Sequence, residues 1–292
     1  MALFSQPTAR ALAIVDLLMS HPEKSFGLTE MTRRLSLNKA TCHAILSTMA
    51  TYGFLVQHPK TKTYRLGPSM IAAGNAAFAQ FPVLDYARPT LEHLYQDLNL
   101  DYDIGFAVTG RSRKHVMLLA QYGRYNPVLH SLQLGMRLPN IAPIGACFMA
   151  WEPARAMENW LNEGHEAHGH MDEQLKQKLR ASIIGIRTRG YEVTLKTPAE
   201  RAMTQELMRI KDSWNLDMLN EATEQYQREL YGQNVHLDAI NPVTKYEVSG
   251  ISVPVFFDQN VPVVCFVAGA IEDPISGADI KMIASRLKTA AT

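Results

Sequence analysis

One stretch, "SLNKATCHAILSTMATYGFLVQHPKTKTYRLG" (36–67), narrows the folds open to this chain more than any other. Asn38 is a favoured helix cap, and from Lys39 to about Tyr52 the apolar residues Cys42, Ile45, Leu46 and Met49 recur at helical spacing before Gly53 ends the run. Directly afterwards, "GFLVQ" and "KTYRLG" read as two short strands joined by "HPKTK", with Tyr64 and Leu66 on one face and Arg65 on the other. A helix this short is stable only when its apolar stripe is buried against partners. Two candidate partners lie upstream. One carries Ala11, Ile14, Val15 and Leu18, with Thr8 as its expected cap; the other carries Leu28, Met31 and Leu35 after the break "HPEKSFG". Three helices followed by a two-stranded wing predict a winged helix-turn-helix over residues 1–67.

The third helix is unusual on the side away from its stripe. At 100° per residue, Ala40, Ala44, Ser47 and Thr51 fall opposite the apolar positions, with His43 beside them and Lys39 and Thr41 flanking the first turn. A helix facing only water is usually lined with long charged side chains. Short ones let the backbone approach base edges in a major groove about 12 Å wide. Lys60 and Lys62 at the wing tip, with Arg65 on the strand, suit phosphates beside that groove. The candidate DNA contacts are therefore Asn38, Lys39, Ala40, Thr41, His43, Ala44, Ser47, Lys60, Lys62 and Arg65. Small residues serving as helix filler, or as a contact with another protein helix, remain the alternative on this segment alone.

Charge agrees with the first reading. Residues 1–82 hold Arg10, Lys24, Arg33, Arg34, Lys39, Lys60, Lys62 and Arg65 against Asp16, Glu23 and Glu30, a net of +5 within a chain whose total is +1. No apolar run reaches the roughly 18 residues of a membrane span, and "MALFSQPTARAL" lacks the pattern of a secretion signal, so the expected location is cytoplasmic, with no membrane partner. Cys42, Cys147 and Cys265 match neither a disulfide framework nor a zinc motif and are expected reduced and buried.

A length of 292 residues predicts two domains. "SMIAAGNAAFAQF" is Ala-rich and helical, with Pro82 as its expected end, giving a linker helix over 68–82. In the remainder, 83–292, an amphipathic helix with Leu84, Leu91, Leu94 and Leu98 precedes strands at "DIGFAVTG", "HVMLLAQYG" and "VLHSLQLG". Later, "GISVPVFF" and "PVVCFVAG" form a hairpin about "DQN", and a last helix runs from Gly277 to about Ala290. The class is α+β.

The run "RALAIVDLLMSHPEKSFGLTEMTRRLSLNKATCHAILSTMATYGFLVQHPKTKTYRLGP" resembles the DNA-binding domain of the IclR (isocitrate lyase regulator) family of bacterial transcription factors. "IRTRGYEV", "ISVPVFFDQNVPVVCFVAG" and "LPNIAPIGACFMAW" resemble segments of its C-terminal effector domain. The resemblance implies a GAF/PAS-like effector domain, a double-stranded DNA operator of pseudo-palindromic form, a dimer or tetramer, and a small-molecule effector. Ala44 stands where the family often has Arg, so operator sequences do not transfer. The resemblance also places the effector near "APIGACFMA" and "VVCFVAG", at Gly145, Ala146, Cys147, Phe266 and Ala268. Gly145 and Ala146 offer backbone N–H groups to a carboxylate at a helix start. Phe266 and Ala268 replace Ser positions of members that bind small oxyacids, which implies a larger apolar or aromatic acid. Against the family, the chain inserts a helical segment at about 194–245, suited to capping the pocket or to a subunit contact.

An enzyme or protein-interaction module on a winged domain is the competing class. His165, His168 and His170 beside Asp172 and Glu173 offer metal ligands, yet the same residues describe a solvated loop before a helix capped by Asp172. Cys147 at a helix start has no local His and acid to make it a nucleophile. No P-loop, GxSxG or HExxH occurs. The expectation is a regulator with no catalytic residues, no metal and no cofactor.

Overall fold

A computed structural model describes residues 5–292 apart from 20, 81–82, 99–101, 103, 113, 124–134, 136, 169–172, 211–215, 231–232, 234 and 258. The chain falls into two units, 1–86 with 209–222, and 87–208 with 223–292. The division differs from the expected one at 82/83, and part of the anticipated insertion groups with the first unit.

In the first unit, α1 (Gln6–Met19), α2 (Leu28–Arg34) and α3 (Lys39–Thr51) bury Ile14, Leu17, Leu18, Met31, Leu35, Cys42 and Leu46. Thr8 is not the cap of α1. The helix begins at Gln6, three residues before the start that a Thr8 cap would set; Ala9 N donates to Ser5 O, and Thr8 Oγ1 donates to Ser5 Oγ at 2.9 Å. Ser5 is itself a favoured cap residue, and Pro7 suits a first turn, where its missing N–H is not needed. At α3 the expected cap is present: Asn38 Oδ1 accepts from Thr41 N at 2.8 Å. Gly53, at φ 74°, ends the helix in the left-handed conformation that glycine adopts without steric cost.

The wing pairs β1 (Leu55–Gln57) with β2 (Tyr64–Leu66), Leu55 opposite Leu66. Tyr64 is buried and Arg65 exposed, as alternation requires. Phe26, in the break between α1 and α2, exchanges both backbone hydrogen bonds with Tyr64, at 3.1 and 2.8 Å. The wing is thereby fastened to the segment entering α2. Arg34 is also internal, 4% exposed, its Nε 3.0 Å from Glu30 and its guanidinium 5.1 Å from the Phe26 ring centre. It is one of the eight basic residues counted above, so its charge serves the core and not the surface. α4 (Pro68–Gln80) leaves Ile71, Ala72, Ala73, Ala76 and Ala77 exposed. Pro82, its expected end, lies outside the described residues.

In the second unit, α5 (Val83–Leu98) buries Ala87, Leu91, Leu94 and Leu98 from its part beyond residue 86. Six described strands form an antiparallel sheet in the order β5-β4-β3-β9-β8-β6. They are β3 (Gly105–Arg111), β4 (His115–Tyr122), β5 (Arg137–Pro139), β6 (Glu192–Leu195), β8 (Val248–Phe257) and β9 (Gln259–Gly269). The short β7 (Lys245–Tyr246) pairs separately with β10 (Ile275–Ser276). The expected strand at 128–135 falls almost wholly outside the described residues. β9 is central and buries Val264, Cys265, Phe266 and Ala268 in succession, so both its faces are covered. Residues 235–237 extend the sheet beyond β6 through Leu195 N to Val235 O and Leu237 N to Val193 O.

α6 (Ala146–Met149), α7 (Ala154–His168) and α8 (Glu173–Arg189) share a core of Ala146, Met149, Trp160, Leu161, Leu179, Ile183 and Ile186. α7 overturns the solvated-loop reading of "GHEAH", because helix continues to His168. Gly164 is a packing residue there: a Cβ on it would lie 3.0 Å from both Cβ and O of Ala142. His170 and Asp172 lie outside the described residues. α9 (Pro198–Ile210) and α10 (Leu216–Leu230) realise the helical pattern of the insertion. α11 (Gly277–Ala290) opens with a capping box between Ser276 and Asp279, and Tyr102 donates to Asp279 Oδ1 at 2.7 Å.

Candidate nucleic-acid interface and ligand cavity

The outer side of α3 is built by its cap and its stripe together. Asn38 fixes where the helix starts, and burial of Cys42 and Leu46 fixes which way it faces. Asn38, Lys39, Ala40, His43, Ala44, Ser47 and Thr51 are then exposed and Thr41 half-buried. Thr48 and Thr51 turn their hydroxyls back to the carbonyls of Ala44 and Ser47, at 2.9 Å each, which keeps that side slim. In the wing loop, His58 N donates to Thr63 O and Lys62 N to His58 O, while His58 Nδ1 accepts from the N–H groups of Lys60 and Thr61. Lys60, Lys62 and Arg65 are all exposed on this frame. The first unit thus carries every sequence-chosen DNA candidate on its surface.

The second unit holds a cavity of about 210 Å³. α6 and the loop before it supply Pro143, Ile144, Gly145, Cys147 and Phe148; the sheet supplies Thr109, Val116, Leu138, Glu192, Thr194, Leu195, Ser249, Ser252, Cys265 and Val267. The former insertion closes it with Thr197, Glu200, Tyr226, Leu230 and Val235. Capping is therefore one thing that segment does.

Of the five residues expected at the effector site, Gly145 and Cys147 line this cavity and three do not. Ala146 is fully buried in the α6–α8 core. Phe266 and Ala268 sit one residue out of phase with Cys265 and Val267, so strand alternation turns them to the opposite face of the sheet. Nor is the start of α6 a vacant anion site. Cys147 N donates to Glu192 Oε2 at 3.2 Å, and the other oxygen of that carboxyl lies 3.1 Å from His236 Nδ1. Gly145 caps α6 at φ 87°, where a Cβ would collide with Asn140 Oδ1. Cys147 and Cys265 are free thiols with sulfurs 3.6 Å apart. Burial pushes the Cys147 pKa well up, the opposite of an activated nucleophile.

Sequence reasoning missed Glu192, Glu200, Tyr226 and Ser249. Glu192 did leave a trace, as one acidic residue in the otherwise strand-like "YEVTL". Ser249 Oγ donates to Glu200 Oε1 at 2.7 Å, and burial raises the Glu200 pKa against the lowering effect of that bond. Burial likewise raises the Tyr226 phenol, with Glu200 adding to the shift. No group of three or more metal-ligating side chains occurs among the described residues. No described helix is long and apolar enough to cross a membrane.

The family described as the IclR helix-turn-helix domain matches residues 7–59. The chain is 25% identical to the HTH-type transcriptional regulator XynR of Escherichia coli (strain K12) over 189 residues, which are 64% of this chain and 73% of that protein. Its fold is shared with an IclR transcriptional regulator from Alicyclobacillus acidocaldarius, at a TM-score of 0.64 and 20% identity, covering 99% of this chain and 97% of that one. It is shared also with an IclR homolog complexed with 4-hydroxybenzoate from Microbacterium hydrocarbonoxydans, at a TM-score of 0.60 and 14% identity, covering 98% and 96% of the two chains.

Proposed function

Because the chain belongs to the IclR family of transcriptional regulators, we propose that it is a ligand-responsive repressor or activator whose α3 enters the major groove of an operator. The observation that carries this reading is the exposed, small-residue side of α3 beside a wing with Lys60, Lys62 and Arg65 on its surface. Lys39, Thr41, His43 and Ser47 are the base-edge candidates, with Asn38, Ala40 and Ala44 allowing close approach. The wing lysines and Arg65 contact phosphate. A homodimer, or a tetramer of two dimers, presents paired helices to a pseudo-palindrome in the cytoplasm. The effector is a small organic molecule held in the cavity of the second unit. The IclR homolog that binds 4-hydroxybenzoate supports a ligand of about that size. The acid expected from Phe266 and Ala268 has lost that support, since neither residue lines the cavity.

Lys39→Ala and Thr41→Ala test the reading helix. Both should weaken a mobility shift with operator DNA while the oligomer seen by size-exclusion chromatography is unchanged. Normal shifts from both variants would overturn the assignment of α3.

A further inference from the structure

The ionisable groups of the cavity have an unexpected sign for a site thought to hold an acid. Among the described lining residues there is no Lys, Arg or His, while two carboxyls are present, Glu192 and Glu200. One Glu192 oxygen accepts from Cys147 N, and the other lies 3.1 Å from His236 Nδ1. That carboxyl stands where an effector carboxylate would have met the start of α6. An anionic ligand would meet the Glu192 carboxyl, whose near neighbours are Cys147 N and His236, and the described lining residues offer it no Lys or Arg.

Glu200 is placed differently. Its carboxyl accepts from Ser249 Oγ at 2.7 Å and its backbone N donates to Thr197 Oγ1 at 3.1 Å, with no cationic side chain bonded to the carboxyl among the described residues. Lys196 and Arg201 act on it through space, opposing the rise that burial causes, while each is bonded elsewhere: Lys196 Nζ donates to Glu272 O at 2.7 Å, and Arg201 lies 3.6 Å from Glu247. Tyr226 lines the same cavity close enough to Glu200 to feel its charge. Val116, Leu138, Ile144, Leu195, Leu230 and Val267 supply apolar wall. A carboxylate, an aromatic ring and hydrocarbon walls together match an ammonium group carried on a small apolar body, through a charge-assisted hydrogen bond and a cation–π contact.

We propose that the effector cavity takes a small organic amine in its cationic form, with Glu200 and the Tyr226 ring holding the ammonium and the apolar wall holding the rest. This rests on the reading of the cavity as the effector site. Burial disfavours the charged form of Glu200, and an ammonium beside it restores that form. Amine binding therefore weakens as pH falls and Glu200 takes up a proton.

The test uses matched probes of one skeleton, 2-phenylethylamine and 3-phenylpropionate, measured against the full-length protein by thermal shift and calorimetry. The amine should raise the melting temperature and the carboxylate should not. Glu200→Gln should lower amine affinity about tenfold or more, as loss of a charged hydrogen-bond partner does. Tyr226→Leu should lower it as well, while Tyr226→Phe keeps the ring and most of the binding. A cooperative melt for each variant separates lost binding from lost folding. Stabilisation by the carboxylate alone would overturn the amine and leave the cavity as effector site; stabilisation by neither would also overturn the amine. Failure of the regulator reading shows in a different assay, as absent DNA binding by the ligand-free protein.

Discussion

Replacing Lys60 and Lys62 together with Ala asks whether the wing lies along a phosphate backbone. Both side chains are exposed, and the loop that presents them is shaped by backbone bonds and by the His58 ring. Alanine leaves those bonds in place, so the head stays folded and only charge is lost. Each phosphate neutralised adds about 0.9 to the slope of log K against log salt, so two lysines account for about 1.8 per head. Raising salt fourfold, from about 50 to about 200 mM, then costs a single head about tenfold less affinity in the variant than in the native protein. With both heads of a dimer engaged the difference becomes about two decades. Fluorescence anisotropy on a random-sequence duplex at several salt concentrations reads the slope directly. An unchanged slope, with weaker or equal binding at every salt, would refute the placement of the wing on phosphate.

Two further outcomes concern the second unit. Ser276→Ala removes the hydroxyl that accepts from Asp279 N at 3.1 Å and should cost about 1 kcal/mol in urea unfolding, as other lost helix caps do; no loss would mean that packing alone holds the start of α11. Glu200 keeps its proton in the folded state at a pH where the unfolded chain has released it, because burial raises its pKa. Its favourable contribution is thus present below the usual carboxylate pKa of about 4.3 and fades as pH rises through the folded value. Glu200→Gln, compared with the native protein by denaturant titration, should gain relative stability from acid toward neutral pH, and a difference independent of pH would count against this account.

The features that sequence reveals well here are local ones. Asn38 and Gly53 frame α3 through bonds and dihedrals that span no more than four residues. Tyr64, Arg65 and Leu66 alternate on a wing with one covered face, so their pattern shows which way each points. β9 gives no such pattern. With both faces covered, its side chains are apolar in succession, and parity was lost by one residue at Phe266 and Ala268. The bond from Cys147 to Glu192 joins residues 45 apart, and the exchange between Phe26 and Tyr64 joins others 38 apart. Neither leaves a spacing signal. Thr8 misled for a simpler reason: Ser5 offers the same capping chemistry three positions earlier. At "GHEAH" the polar histidines suggested a loop, whereas the helix runs on to His168 and packs Gly164 where a Cβ would lie 3.0 Å from Ala142.

The stitch between Phe26 and Tyr64 has a thermodynamic consequence for the whole head. A free hairpin would lose much of its swing upon landing on a duplex, and that ordering would count against the complex. Here the swing is restricted before any encounter, because Tyr64 of β2 exchanges both backbone bonds with Phe26 in the segment that leads into α2. On the proposed reading, in which α3 enters the groove and the wing lysines meet phosphate, the separation between the two is thus set during folding. On that reading the protein would meet its site like a stamp with a fixed die, and operators whose groove-to-backbone distance departs from that die would be penalised even when their bases are right.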